Sequence, residues 1–145
     1  MKTLNEMRIR LESRSVNESF ARVAVGAFCS QSDPTVEEIN DIKTAVSEAV
    51  TNCIVHAYRN SVGYIYISVK LLEDSSAVIK IRDRGCGIEN INEAMTPLFT
   101  TLGGERSGLG FSVMETFCDS VRVRSSKGRG TTVTLIKKIR GKNSY

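Results

Sequence analysis

Three polar side chains recur at helical spacing within one segment of the chain. Glu48, Asn52 and His56 are separated by four residues each, so one face of a helix would carry all three, while the apolar residues follow another stripe. A carboxylate polarises a hydroxyl group or a water molecule, and an asparagine oxygen is a hard, neutral ligand for Mg²⁺. The row suits phosphoryl transfer, although Glu and Asn at this spacing are also common on a solvent-facing helix.

A second motif, Asp83-Arg84-Gly85-Cys86-Gly87-Ile88, follows a β-rich run. Asp83 ends the run, where its carboxylate can accept a hydrogen bond from the amino group of adenine. Gly85 and Gly87 lack side chains, so the backbone there can approach a flat ligand closely. Taken alone, the same residues also fit a glycine-rich turn after an edge strand.

A third, glycine-rich motif runs from Gly103 to Gly110 and leads directly into the helical pattern that begins at Phe111. Unpaired backbone N–H groups and the positive end of a helix dipole favour an anion at such a position, and Arg106 can neutralise phosphate charge. The segment has neither the Walker A pattern nor the dinucleotide fingerprint. It therefore predicts a phosphate site of another kind.

Hydrophobic periodicity predicts the elements that position these motifs. The first helix should bury Phe20, Val23, Ala24, Ala27 and Phe28, and both Ser15-x-x-Glu18 and Thr35-x-x-Glu38 are candidate capping boxes. The predicted strands are Met7–Leu11, Tyr64–Leu72, Ala77–Arg82, Val121–Ser125 and Thr131–Ile139, and the predicted helices are Ser15–Ser30, Thr35–Tyr58 and Leu109–Cys118, with a short one near Asn92–Met95.

This order, β-α-α-β-β-loop-α-β-β, favours an α+β fold over a doubly wound parallel sheet, because helices follow helices and strands follow strands. The 145 residues suit a single domain over 1–145.

The absence of a long apolar run or signal peptide indicates a cytoplasmic protein. The four cysteines lack metal-ligand spacing, so we expect reduced thiols. The net charge is +4, but the basic residues are spread along the chain, so no nucleic-acid partner is expected.

Four motifs in order resemble the ATP-binding GHKL superfamily, which includes gyrase, histidine kinases and MutL. The segment Ser47–Tyr58 resembles its N box, Asp83-x-Gly85-x-Gly87 the next box, Ser107–Phe111 the glycine box, and Gly130-Thr131-Thr132 the closing strand. The resemblance implies the Bergerat fold, a two-layer α/β sandwich whose mixed, mostly antiparallel sheet is covered by helices on one face.

Within that superfamily the chain resembles the sporulation anti-sigma factor kinases from end to end, including Asn17–Arg22 and Pro97–Thr101. The resemblance implies a protein-serine kinase that uses ATP and Mg²⁺. Glu48 would be the general base, Asn52 would hold the metal, and Asp83 would read adenine. The remaining nucleotide-binding residues would be His56, Ala57, Gly85, Gly87, Ile88, Thr100, Thr101, Arg106, Ser107, Gly108, Leu109, Gly110 and Thr131.

The same resemblance implies two protein partners. In the ATP form the chain would bind and inhibit the sporulation sigma factor F, and it would phosphorylate a serine of an anti-anti-sigma factor. Arg22 would lie on the shared partner surface, residues 93–107 would form a lid, and the first strand and helix would form a homodimer face. Two alternatives stay open: a general-stress anti-sigma kinase of the same fold, and a nucleotide-responsive binding module without kinase activity.

Overall fold

The computed structural model describes residues 1–95 and 109–141. Its strands are β1 (Thr3–Glu12), β2 (Tyr64–Leu72), β3 (Ser76–Arg82), β4 (Ser120–Ser126) and β5 (Gly130–Lys138). Its α-helices are α1 (Val16–Cys29), α2 (Val36–Asn52), α3 (Ile91–Met95) and α4 (Phe111–Phe117), with a 3-10 turn at Ser30–Ser32 and a π-helical turn at Cys53–Ala57. The predicted elements are all present, with shifted ends.

The five described strands form one sheet in the order β1-β2-β3-β5-β4, and each of the four pairings is antiparallel. Alternate residues of the strands, such as Ile65, Ile67 and Val69 on β2, point into a core that the helices cover from one side. The predicted two-layer α+β fold is confirmed. No described helix is long and apolar enough to cross a membrane.

The predicted capping box at the start of α2 is confirmed. The backbone N–H of Glu38 donates to the Thr35 hydroxyl over 3.0 Å, and the backbone N–H of Thr35 donates to the Glu38 carboxylate over 2.9 Å. The helix then buries Ile42, Val46 and Val50 at the spacing that the sequence predicts. Because α2 carries Glu48 and Asn52, its fixed start helps to define where these two residues lie.

The prediction for α1 is wrong on two points. Ser15 makes no side-chain cap, and the buried residues are Ala21, Val25, Gly26 and Cys29, whereas Phe20 is 55% exposed. Small side chains let α1 lie close to α2, since a Cβ at Gly26 would meet the Lys43 side chain. The larger apolar residues Phe20 and Val23 are therefore left on the outer surface.

Candidate functional site

A cavity of about 710 Å³ opens between the end of α2, the π-helical turn, the end of β3 and the hairpin of β4 and β5. This volume is ordinary for a small-molecule site. Of the predicted residues, its lining contains Asn52, His56, Ala57, Asp83, Gly87, Ile88, Leu109 and Thr131. Glu48, Gly85 and Gly110 are described but do not line it, and Thr100, Thr101, Arg106, Ser107 and Gly108 lie outside the described residues, as does most of the predicted lid.

Asp83 lies buried in the cavity wall, immediately after β3. Its Oδ1 accepts from the backbone N–H groups of Gly85, at 2.9 Å, and Thr131, at 3.2 Å. Its Oδ2 accepts only a longer contact, 3.6 Å, from the Cys53 thiol among the described residues. Burial raises the pKa of Asp83, and the backbone N–H groups partly oppose that rise. The arrangement holds Oδ1 with two backbone donors and leaves Oδ2 with only the weak thiol donor, so Oδ2 can accept a hydrogen bond from a ligand in the cavity that Asp83 lines.

Both glycines after Asp83 are required by chain packing. A Cβ at Gly85 would collide with the Ala57 carbonyl, and a Cβ at Gly87 would collide with the Ser126 carbonyl. Gly87 also has a φ of +76°. The glycines thus lock the Asp83 loop against two other elements, and only Gly87 of the pair reaches the cavity.

The π-helical turn changes the geometry expected for the polar row on α2. The sequence predicted an unbroken helix to Tyr58, but α2 ends at Asn52 and the backbone N–H of Tyr58 donates to the carbonyl of Cys53. This wider turn leaves the Ala57 carbonyl to accept from the backbone N–H of Cys86 over 3.2 Å. His56 still lines the cavity, but it does not continue the stripe of Glu48 and Asn52 at regular α-helical spacing.

Asn52 and Glu48 connect α2 to the start of α4. The Asn52 side-chain nitrogen donates to the Leu109 carbonyl over 2.6 Å, so the amide oxygen is not used in that bond. The Glu48 carboxylate lies one turn earlier, against Gly110, where a Cβ would collide with Oε2. Gly110 has a φ of +65° and precedes Phe111, so a residue with a side chain would fit poorly there on both counts.

Sequence reasoning missed the residues that hold the opposite wall. Ser125 accepts from the backbone N–H of Ile88 over 2.7 Å and shares a hydrogen bond with the Thr131 hydroxyl over 2.7 Å. The Tyr58 hydroxyl accepts from the backbone N–H of Arg84 and donates to the Tyr64 carbonyl. Ser125 and Thr131 are directly opposite in the hairpin of β4 and β5, so a prediction of the hairpin register could have indicated the first of these pairs.

Arg22 lies outside the cavity, on α1. Its guanidinium is 3.0 Å from Glu18, whose carboxylate also accepts from the Ser47 hydroxyl over 2.8 Å. This chain of contacts links Arg22 to the residue that precedes Glu48 on α2. The Arg22 side chain is 38% exposed, so its position is defined while the charge stays accessible from solvent.

All four cysteines are free thiols. Burial raises the pKa of Cys29 to about 12 and that of Cys118 to about 11. Burial also raises the pKa of Cys53, and the neighbouring Asp83 charge adds to the effect. These three thiols stay protonated at neutral pH, so they act in packing and, at Cys53, as a hydrogen-bond donor.

Comparison with known proteins places this arrangement in a family. The model of the histidine kinase-like ATPase domain matches residues 10–137. The anti-sigma F factor of Caldanaerobacter subterraneus subsp. tengcongensis is 55% identical over 96% of this chain and 96% of its own, and that of Clostridium acetobutylicum is 51% identical over 92% of this chain and 94% of its own.

The chain belongs to the anti-sigma F factor family. It is accordingly a member of the GHKL class of ATP-binding, kinase-like domains. Family membership does not depend on the cavity geometry, and the two agree, since residues from all four matched motifs line the cavity.

Solved structures support the same fold. The RsbU and RsbW domains of a Mycobacterium tuberculosis protein match with a TM-score of 0.67 at 20% identity, over 93% of this chain and 32% of that one. The blue-light activated histidine kinase of Erythrobacter litoralis matches with a TM-score of 0.59 at 17% identity, over 81% of this chain and 40% of that one. At these identities the likeness concerns the fold alone.

Proposed function

We propose that this chain is a cytoplasmic ATP-dependent protein-serine kinase that also inhibits a sporulation sigma factor. The observation that carries the proposal is the oriented carboxylate of Asp83 in a cavity whose other wall is the end of α2. Its Oδ2 would accept the adenine amino group. The anti-sigma F factor names of the relatives support sigma factor F as the inhibited partner.

The described residues fit a nucleotide with Mg²⁺. No group of three or more His, Cys, Asp or Glu residues in the described chain could ligate a metal by itself. An ion held by the Asn52 oxygen would therefore take its other ligands from phosphate groups and water, which is the usual mode of Mg²⁺ binding. The ion would neutralise phosphate charge during transfer. Binding residues expected outside the described part, Thr100, Thr101 and Arg106 to Gly108, would complete the phosphate site.

Glu48 would act as general base in the transfer. The serine hydroxyl of an anti-anti-sigma factor would give its proton to the Glu48 carboxylate, its oxygen would bond to the γ-phosphorus of ATP, and the bond to the β-phosphate oxygen would break, releasing ADP. Glu48 lies one helical turn, roughly 6 Å, from Asn52. Its contact with Gly110 holds the carboxylate beside the start of α4. Positioning of this kind accounts for most of the catalysis in phosphoryl transfer.

Partner choice would depend on the nucleotide. With ATP bound the chain would hold the sigma factor, and with ADP bound it would turn to the anti-anti-sigma factor. Arg22 and the exposed residues Phe20 and Val23 would form the partner surface, since α1 presents a fixed cation beside apolar area.

We also propose a homodimer through β1, which is an edge strand of the sheet. A monomer in sedimentation velocity would contradict the dimer.

A phosphotransfer assay with labelled ATP, Mg²⁺ and the purified anti-anti-sigma factor tests the kinase. We expect Glu48→Gln to lower the transfer rate by at least about 100-fold, because the base is lost, while ATP affinity stays close to that of the wild type. Asn52→Ala should instead weaken nucleotide binding in Mg²⁺, because the metal ligand is removed. The matched control is Glu115→Gln, an exposed carboxylate on α4.

The results separate the candidate functions. Label on a partner serine, lost in Glu48→Gln and kept in Glu115→Gln, is the expected outcome. Wild-type transfer by Glu48→Gln would refute the role of general base. Nucleotide-dependent binding of the partner without any label would instead favour a binding module.

A further inference from the structure

The sheet face opposite the helices carries a concentrated positive charge. No described element covers this face, and its side chains alternate with the buried ones along each strand. A shallow cavity of about 380 Å³ lies on it, lined in part by Arg8, Arg10, Lys80 and Arg82. Antiparallel sheets commonly leave one face in water, so it is the concentration of one sign of charge on this face that indicates a partner.

The strand register arranges these charges in two rows that cross the sheet. Arg10, Tyr66, Arg82, Thr132 and Arg124 form one row, and Arg8, Ser68, Lys80, Thr134 and Arg122 form the next. In each row the cations are two strands apart, which is about 10 Å at the usual strand spacing, and the rows are about 7 Å apart. We call these six cations the basic sheet face.

Most of this charge is uncompensated. Only Arg8 of the six forms an ion pair in the described chain, with Glu6 at 3.2 Å. Arg10 lies 4.5 Å from the ring centroid of Tyr64, and Arg82 lies 5.6 Å from that of Tyr66, on whose ring Arg84 also lies. These cation–π contacts do not neutralise the guanidinium charges, and both Arg10 and Arg82 are exposed.

We propose that the basic sheet face binds an acidic helical segment of a protein partner. An α-helix that lies across the strands repeats its side chains about every 10.5 Å at seven-residue spacing, which matches the cation rows. Single-stranded nucleic acid requires open aromatic faces, which the arginines occupy here, and duplex DNA is read by elements that enter a groove, which a flat face does not do. A second copy would place like charges opposite each other. The proposal does not depend on kinase activity.

The test uses a fluorescent 21-residue peptide with Glu at positions that repeat every seven residues on one helix face, and a scrambled peptide of equal charge. Anisotropy is measured with wild type, with Lys80→Glu/Arg122→Glu, and with Lys2→Glu/Arg129→Glu, which makes the same change in net charge elsewhere on exposed residues. We expect the sheet variant to bind at least about tenfold more weakly, and the control to bind like wild type. Circular dichroism and nucleotide affinity establish that both variants fold.

Four results would overturn the proposal. Equal loss in both double variants would show that only net charge matters, and equal binding of the scrambled peptide would exclude a helical occupant. Tighter binding of a 20-base-pair duplex, lost in the sheet variant alone, would assign the face to nucleic acid. Self-association of the wild type that the sheet variant abolishes would assign it to a second copy.

Discussion

At the scale of single residues, the candidate site depends on which atoms are already used. Asp83 uses Oδ1 for two backbone N–H groups, and Asn52 uses its nitrogen for a carbonyl. In both cases the first hydrogen bond determines which atom of the side chain is left for a ligand. That atom is Oδ2 in Asp83 and the amide oxygen in Asn52. In the proposed function, the second oxygen of Asp83 would accept from adenine, and the amide oxygen of Asn52 would coordinate the metal.

Asp83→Asn should change base preference while keeping the fold. The asparagine oxygen would accept the two backbone N–H groups, so its NH₂ group would replace Oδ2 and oppose the amino group of adenine. We expect ATP affinity to fall by about 30- to 100-fold, because a buried hydrogen bond becomes a clash of two donors. The affinity for inosine triphosphate, which carries an acceptor in place of the adenine amino group, should fall less. Calorimetric titration with both nucleotides measures the difference.

Thermal unfolding of Asp83→Asn is the control that shows whether the variant is folded. Its melting temperature should stay near that of the wild type, because the Gly85 and Thr131 bonds persist. Undiminished ATP affinity in a folded Asp83→Asn protein would show that Asp83 does not read the base.

At the scale of elements, periodicity predicted every strand and helix of the described chain, because each buries one face of a regular repeat. It failed where packing depends on close approach. The burial of Gly26, with Phe20 exposed, follows from the contact of α1 with α2, which no pattern within α1 reveals. The π-helical turn was likewise not predicted, and it accompanies a hydrogen bond between Ala57 and Cys86, residues far apart in the chain.

The site motifs were predictable for a related reason. Asp83, Asn52 and Thr131 are placed by elements whose order and register the sequence indicates, and the cavity brings them together. The role of Gly85 was not predictable, because only the folded chain shows the Ala57 carbonyl filling the space beside it. A glycine in a motif indicates that another group packs closely against the backbone, but the sequence does not identify that group.

Glu38 makes hydrogen bonds beyond those of its capping box. Besides the capping box, its carboxylate accepts from the backbone N–H groups of Arg140, at 2.7 Å, and Gly141, at 3.1 Å. Burial alone would raise the pKa of Glu38, but these bonds together with those from Thr35 lower it. One side chain therefore fixes the start of α2 and the chain that follows β5.

Glu38→Gln should destabilise the protein in a pH-dependent way. The amide would present NH₂ to a backbone donor, so we expect a loss of about 1 to 3 kcal/mol at pH 7. The lowered pKa means that the ionised form stabilises the fold above the unfolded pKa of about 4.3, and that this contribution disappears as the pH falls through the folded value. Urea unfolding at several pH values should show the difference shrinking below about pH 4.

The neighbouring exposed residue Glu37 provides the control for that experiment. Glu37→Gln makes the same chemical change without buried bonds, so its effect should stay within about 0.5 kcal/mol. A difference between Glu38→Gln and wild type that did not vary with pH would contradict the assigned carboxylate role.

At the scale of the whole molecule, the proposed functions occupy separate surfaces. The cavity lies at one end of α2, Arg22 lies on the outer side of α1, and the basic sheet face lies on the opposite side of the sheet. The basic residues that looked scattered in sequence come together only because strands from both halves of the chain pair. Composition could not reveal this, since it depends on the order β1-β2-β3-β5-β4.

Separate surfaces predict that Arg22→Glu will impair partner binding without affecting the nucleotide site. The new carboxylate would face Glu18, which now pairs with Arg22, and reverse the charge offered to a partner. We expect affinity for the sigma factor with ATP, and for the anti-anti-sigma factor with ADP, to fall by at least about tenfold. ATP affinity should not change. Arg14→Glu, an exposed reversal before α1, is the control, and two unchanged partner affinities would remove Arg22 from the proposed surface.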